Sequence, residues 1–479
     1  MELMITHGAG LDVHQATVVA TVRVPSAAGG RHVETRTFGT MTSDLLTLRE
    51  WLQAQGVTHV AMESTGVYWR PIYYLLEDGF TLLLINMQHL THVPGRKTDV
   101  KDSEWLAQLL ECGLLRSSLV PPPPIRELRD LTRYRKQQIA ERTQEVNRLH
   151  RMLQDAGVKL TSVVSDVMGV SGRAMLQALV AGGTDPEAMA ELARGRLRQK
   201  LPLLRRALEG RFRRHHAVLV GQMLSKIEFL EDLIATLTAE IDERLAPFEA
   251  TLARLDTIPG VDRRSATTIL VETAGDMTRF PTAGHLCSWA TVCPGLDESA
   301  GKRRSGRTRH GNRYLKAALV EAALGAMRAK DTALQARYFR VRRHRGHKKA
   351  VLAVAHQILE IAYYVMRDDT TYTELGAAYF DRRNQERTKL RCLRQLEALG
   401  YRVTLADPSV AACRALFSEQ LGVRTDTSPE TETSVMDRCW RAPAARRATT
   451  LRRRADRRSD SACPCRRTPS DRDRARSRC

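Results

Sequence analysis

The chain predicts an α/β layer, then a helical middle region, then a mainly α C-terminal part. Three observations carry this reading. Up to about residue 115, short apolar runs rich in Val, Ile and Thr alternate with turns and with amphipathic stretches. A proline run, Pro121 to Pro124, then ends that pattern, and residues 125–155 contain neither Gly nor Pro. Helices resume from Leu255 around a polar, cation-dense loop.

In chain order, the apolar stretch GLDVH contains Asp12, and Ala16 to Val24 reads as a following strand dominated by Val and Thr. Val60-Ala61-Met62 is a buried strand ending in Glu63; Gly66 follows at once, and a helix is expected from near Tyr68. Thr81 to Asn86 is a further buried strand. Asp99 and Asp102 lie three apart in KTDVKDSEWLA, so on a helix they share a face. Strand, strand, strand, helix, strand, helix, strand, helix is the predicted order over residues 8–115, which matches an RNase H-like layer.

Those four acids, Asp12, Glu63, Asp99 and Asp102, are the first candidate site. Mg²⁺ is a hard ion that prefers oxygen ligands, and two such ions about 3.5–4 Å apart clamp the attacking and leaving oxygens of a phosphodiester. Taken singly, an acid at a strand end is usually a cap or a solvated group; four at converging element ends point to metal-assisted chemistry on nucleic acid. Arg96 and Lys97, in the turn before Asp99, suit an approaching phosphate backbone.

In the middle region, Met223, Ile227, Leu230, Ile234, Leu237, Ile241 and Leu245 form an a/d seam. That spacing predicts a helical hairpin or coiled coil, paired within the chain or with another subunit. Arg133, Arg135, Lys136, Arg142, Arg148 and Arg151 are expected on its outer face, where they could also touch nucleic acid.

The third region opens with Ile258-Pro259-Gly260-Val261 between two helical stretches, resembling a helix-hairpin-helix grip on DNA through exposed backbone amides, with Pro259 and Gly260 at its turn. Next comes the loop Asp297 to Asn312, and then a helix from near Arg313. Ser299 and Ser305 lie in this loop among Lys302, Arg303, Arg304, Arg307 and Arg309. A hydroxyl there could attack phosphorus while the cations hold the phosphate. Spacing alone favours a flexible basic loop that merely binds the backbone.

With 75 Lys+Arg against 54 Asp+Glu, the formal charge is +21 and the pI about 10.0, as expected of a protein that meets polyanions. No apolar run of membrane-spanning length and no signal-peptide pattern at the N-terminus is read, so a cytoplasmic, nucleoid-associated protein is expected. The nine cysteines are scattered, and Cys463-Pro464-Cys465 is too tight for a usual zinc knuckle, so reduced thiols are the default. From Asp437 to Cys479 there are fifteen Arg, five Asp and no Lys, a composition that cannot bury a core and predicts disorder. The domains are placed at 1–120, 125–250 and 251–370, followed by a helical extension over 371–430, with Leu375 to Phe380 and Leu390 to Leu399 of helical character, and the tail at 431–479.

The combination of GLDVH, AMEST-GVYW, KTDVKDSEWLA, IPGV with ATTIL, and SAGKRR followed by GNRYLKAALVEAA resembles the insertion-sequence transposases of family one-ten, relatives of the Piv/MooV DNA invertases. The likeness runs in order from about residue 8 to about residue 370. It implies a RuvC-like domain with a DEDD metal site at Asp12, Glu63, Asp99 and Asp102, holding Mg²⁺. It also implies a nucleophile at Ser299, which precedes Gly301-Lys302 as the family serine precedes its Gly-Lys; here Glu298 stands directly before it. The resemblance further implies recombination through a 5′-phosphoserine bond, a structured guide RNA (bridge RNA) that pairs with donor and target DNA, and a dimer or tetramer with a composite site. The competing readings are a RuvC-like metal-dependent junction nuclease that uses the acids alone, and an inactive DNA- and RNA-binding remnant.

Overall fold

A computed structural model describes residues 4–86 apart from 28 and 65, then 99–295, 297–299, 301–379 and 385–403; for 99, 100, 297–299, 303–305 and 386–388 the backbone alone is described. The expected tail and the cations Arg96 and Lys97 lie outside these residues.

The N-terminal elements follow the predicted order: β1 (Gly8–Val13), β2 (Thr17–Pro25), β3 (Arg31–Gly39), α1 (Thr42–Ala54), β4 (His59–Glu63), α2 (Trp69–Leu76), β5 (Thr81–Ile85) and α3 (Asp99–Glu111). They build one mixed sheet of order β3-β2-β1-β4-β5, in which β1 runs antiparallel to β2 and parallel to β4, and β4 parallel to β5. A mixed sheet followed by mostly helical regions is consistent with an RNase H-like DEDD domain. Side-chain alternation divides its faces. Ala9, Leu11, Val13, Val60 and Met62 join Leu45, Leu48, Leu52, Ile72 and Leu76 of α1 and α2 in one core. Ala61, Ile85 and Leu110 meet on the opposite face, under α3.

Glycine decides how closely α3 approaches that face. A Cβ on Gly10 would run into the Ser103 carbonyl and lie 2.6 Å from the Ala107 nitrogen, while one on Gly8 would be 3.1 Å from Leu110. Thr21 of β2 and Ser103 of α3 share a buried 2.8 Å hydrogen bond beside this contact. At the far end of α3, Arg23 and Arg31 donate to the buried Glu111 carboxylate at 2.9 and 2.8 Å. Helix and strands are thus clamped along their length.

After the prolines, α4 (Pro123–Asp155) begins with proline in its first turn, where the missing N–H costs nothing, and extends about 50 Å at 1.5 Å per residue. Its partner α9 (Arg214–Leu245) returns antiparallel: Glu127 pairs with Arg244, Arg135 donates to Thr238, Arg142 meets Glu231, and Asp155 meets His216. The seam on α9 is used within the chain, with Ile227, Leu230, Ile241 and Leu245 buried. On α4 the facing row is polar in its centre, where Gln138 and Glu145 are buried. This corrects the expected basic outer face in part. Arg135 and Arg142 lie seven apart and point into the seam, Arg133 is paired with Glu272 and Lys136 lies 3.8 Å from Glu321, whereas Arg148, although 2.9 Å from Glu145, and Arg151 are exposed as expected.

Between α4 and α9 the chain forms a lobe of short helices, α5 (Leu160–Val163), α6 (Val170–Val180), α7 (Pro186–Ala190) and α8 (Leu201–Leu208). Its core takes Leu149 and Leu153 from α4 and Val220, Leu224 and Ile227 from α9. Ile125 and Leu128 at the start of α4, and Ile241 and Leu245 at the end of α9, belong instead to the third core. The helical pair therefore spans two cores rather than forming one of its own.

The third core contains α10 (Glu249–Asp256), α11 (Arg263–Thr273), α12 (Ala283–Trp289), α13 (Arg313–Ala326), α14 (Ala333–Arg345) and α15 (His347–Arg367), and the hairpin β6 (Asp297–Ser299) and β7 (Lys302–Ser305) falls in the segment between α12 and α13. Helix α15 is long and apolar enough to cross a membrane, a feature that the sequence reading passed over. Here it serves packing: ten of its residues, from Ala350 to Met366, are buried. Among the extension residues, Leu375 to Ala378 are irregular rather than helical, because Gly376 takes a positive φ and its N–H bonds the Glu374 carboxylate. The chain divides into two units between Lys389 and Leu390; α16 (Gln385–Ala398) starts just before the division and supplies the helix expected at 390–399.

Gly10→Ala is expected to lower stability by about 1–3 kcal/mol, since the added methyl meets helix backbone that cannot yield. A urea melt would show a reduced midpoint; an unchanged one would mean that α3 does not bear on β1.

Candidate active site

The close fit of α3 on β1 also positions the acids. Leu110 lies over Gly8, and Ser103, Leu106 and Ala107 lie over Gly10, so α3 runs antiparallel to β1. Asp12 is the next residue of β1 on that face and so sits beside the first turn of α3, which begins at Asp99 and includes Asp102. The β1–β4 register pairs Gly10 with Ala61 and Leu11 with Met62, which puts Glu63 next to Asp12 at the carboxyl ends of two adjacent parallel strands, on the face that Ala61 turns to α3. Strand neighbours are about 4.8 Å apart. Elements far apart in sequence therefore bring Asp12, Glu63 and the start of α3 to one corner.

Asp12 is buried, and His14 Nε2 lies 3.2 Å from its Oδ2; Glu63 and Asp102 are half-buried. An oxygen-rich donor set of this kind fits a hard divalent cation such as Mg²⁺.

Ser299 is elsewhere. The loop in which it was expected is in part a hairpin: Asp297 to Ser299 pairs antiparallel with Lys302 to Ser305, and Ser299 is opposite Lys302 across a two-residue turn. Gly301 makes this turn with φ +74°, a conformation that side chains rarely adopt. Lys302 and Arg307 are exposed, and Arg303 and Arg304 lie on the returning strand. The hairpin is tied down at its base, where Gly295 N–H donates to the Arg307 carbonyl at 3.0 Å, Arg309 to the Ser288 hydroxyl at 3.1 Å and Lys316 to Thr308 at 2.6 Å.

Comparison with known proteins resolves what this pair of features belongs to. The DEDD_Tnp_IS110 family, described as "Transposase", matches residues 9–157, and the family described as "Transposase IS116/IS110/IS902 family" matches residues 252–339. The "Insertion element IS110 uncharacterized 43.6 kDa protein" of Streptomyces coelicolor is 31% identical over 302 residues, covering 58% of this chain and 73% of its own. The chain belongs to the IS110 family of insertion-element transposases. A second relative, the "Insertion element IS900 uncharacterized 42 kDa protein" of Mycobacterium paratuberculosis, is 27% identical over 331 residues, covering 61% of this chain and 80% of its own. Membership implies DNA binding, cleavage and transfer, and DEDD transposases are usually metal-dependent.

In this transposase the Ile258–Val261 turn packs against α13. A Cβ on Gly260, at φ +85°, would lie 2.8 Å from the Ala326 Cα, so the glycine is there to let the turn pack on the backbone of α13. The Asp262 side chain accepts from Ser265 N–H at 2.8 Å, and hydrogen bonds with Ser265 hold its carboxyl below the usual range despite partial burial. The turn between two helices was legible in the sequence; its close packing on α13 was not.

Sequence reading missed the group that joins the serine hairpin to the rest of the transposase. Glu272 of α11 is buried and accepts two bonds from Arg133 of α4, at 2.8 and 2.7 Å. Arg129 lies 3.5 Å away and donates to the Glu272 carbonyl at 3.0 Å; burial pulls its guanidinium down to about 10. Asn312 donates to Glu272 at 2.6 Å while its own oxygen caps α13. The one signal available was Asn312 before a helical run, the mark of an N-cap.

A second cluster lies at the other end of α4. Asp155, His215 and His216 offer ligand atoms within 4.8 Å of one another. His216 Nδ1 accepts from Arg213 N–H, which leaves Nε2 carrying the proton that faces Asp155, so this ring serves as a helix cap in its neutral form. Of the described cysteines, Cys287 is buried, and burial pushes its thiol well above the usual range, as befits an inert packing residue.

Glu272→Ala leaves two half-buried guanidinium groups and the Asn312 amide without their buried carboxylate and is expected to cost about 3–5 kcal/mol. Chemical denaturation measures it; a loss under about 1 kcal/mol would show that water replaces the carboxylate freely.

Proposed function

We propose that the transposase cuts and rejoins DNA through a serine-linked intermediate, in a site that combines the four acids with Ser299. The reading is supported chiefly by the corner at which Asp12 and Glu63 sit beside the first turn of α3, carrying Asp99 and Asp102. It is supported also by the hairpin that gives Ser299 a defined backbone position among cations.

Asp12, Glu63, Asp99 and Asp102 would hold Mg²⁺, which when bound polarises the scissile phosphate and offsets its charge. Ser299 Oγ attacks phosphorus in line, losing its proton; the Oγ–P bond forms and the P–O3′ bond breaks, leaving a 5′-phosphoserine and a 3′-hydroxyl. After strand exchange, a 3′-hydroxyl attacks the phosphoserine of the other strand, the O3′–P bond forms and Ser299 is released. One phosphodiester replaces another at each step, so no nucleotide cofactor is consumed. Lys302 and Arg303 are assigned to bind the phosphate near the serine, and Arg304 and Arg307 to the adjoining DNA backbone. Arg96 and Lys97 are assigned to the backbone next to the acids.

A structured guide RNA and a dimer or tetramer complete this reading. Two duplexes must be held together for exchange, and acids and serine drawn from different subunits would make cutting conditional on assembly.

The test is incubation of the protein and the element's flanking RNA with labelled junction DNA and Mg²⁺, followed by denaturing electrophoresis. The expected result is a protein–DNA adduct resistant to SDS, absent in Ser299→Ala and greatly reduced in Asp102→Ala. Strand cleavage without an adduct would favour a metal-dependent junction nuclease, and no cleavage at all an inactive remnant. Removing Mg²⁺ with EDTA, or Asp12→Asn, is expected to slow cleavage by more than about 100-fold, the loss of several kcal/mol of charge stabilisation, while DNA stays bound in a gel-shift assay.

A further inference from the structure

We propose that the corner between α14 and α15 is a docking surface for the phosphate backbone of duplex DNA. This rests on the reading of the chain as a DNA transposase and extends it to a surface separate from the acids and the serine hairpin. Residues 342–349 are eight consecutive exposed positions, and they include Arg342, Arg343, Arg345, Lys348 and Lys349. No Asp or Glu occurs between Asp331 and Glu360. Arg342 lies 5.9 Å from the centre of the Tyr338 ring, and among the described residues none of the five cations is paired with a carboxylate.

That separates this corner from the paired arginines of the helical regions. Arg126, Arg133, Arg142 and Arg173 are each held against a Glu and are largely shielded. Their charge is spent inside the fold and is screened from a polyanion. The charge at the corner is not.

The fold explains part of this cluster but not all of it. Arg342, Arg343 and Arg345 occupy the last turn of α14, where cations complement the negative helix end. Lys348 and Lys349 are in the first turn of α15, at a positive helix end, with no acid in that turn and no side-chain cap from Gly346. There they oppose the fold, and a phosphate backbone is what would neutralise them together with the arginines of α14. Residues 340–349 contain no Phe, Tyr or Trp; one exposed aromatic, Phe339, stands a turn back on α14, so the corner offers cations rather than the row of aromatic platforms on which successive bases of a single strand would stack. Exposed cations from two helices fit the paired phosphate rails of a duplex.

The experiment measures binding of the full chain to a labelled DNA duplex of arbitrary sequence without Mg²⁺, over a range of salt. Beside wild type it compares R343A/K348A/K349A and K348E/K349E, and it repeats the series with duplex RNA. The slope of log K against log salt is expected to shrink by about 2–3 in the triple variant, at about 0.9 for each phosphate that the protein no longer neutralises. K348E/K349E should bind still more weakly while its Tm stays at or above that of wild type, because the new acids suit the helix end. An unchanged slope overturns the proposal, and so does a Tm below wild type, which would assign the lysines to the fold. A loss confined to duplex RNA overturns the choice of DNA. Failure of wild type to bind any duplex DNA would remove the transposase reading beneath it. A missing serine adduct alongside the expected slope change would leave this surface standing without the serine mechanism.

Discussion

A buried carboxylate, Glu272, holds together parts of the chain that sequence separates by more than a hundred residues. It receives Arg133 from the long helix α4 and Asn312 from the start of α13, with Arg129 beside it. A buried charge is tolerable only where donors satisfy it, so each group constrains the position of the others. The strand that ends the serine hairpin leads into Asn312 through a few residues, and α4 carries Arg126, which binds Glu77 of α2 at 2.8 and 2.6 Å. One helix thus links the acid-bearing layer to the serine-bearing core.

The acid corner depends on a different device, the absence of side chains at Gly8 and Gly10. Larger residues would lift α3 from the sheet and carry Asp99 and Asp102 away from Asp12. Two small residues on one strand therefore set the placement of charged residues on another element. The Arg23, Arg31 and Glu111 cluster secures the opposite end of the same helix, so that its first turn is positioned from both sides.

Charge in this protein has two fates. Along α4 and α9, arginines meet glutamates and fix the register of an antiparallel pair whose central seam is polar. At the corner of α14 and α15 and on the hairpin, cations face solvent. A formal charge of +21 states only the sum, and its division between internal pairs and open surface is what decides where a polyanion is drawn.

The order of strands and helices in the first 115 residues, the extent of α4 and the seam of α9 were legible in sequence, because hydrophobic periodicity and proline are local signals. The proposal of the four acids follows from the ligand chemistry of Mg²⁺, and that of Ser299 from its motif. Tertiary structure alone decided that Asp12 and Glu63 end adjacent parallel strands beside α3, that Arg135 and Arg142 turn inward, that Gly260 serves packing, and that Glu272 joins two arginines and an asparagine. These depend on strand register, helix rotation and burial. Such quantities are fixed by contacts between residues distant in the chain, and no local pattern carries them.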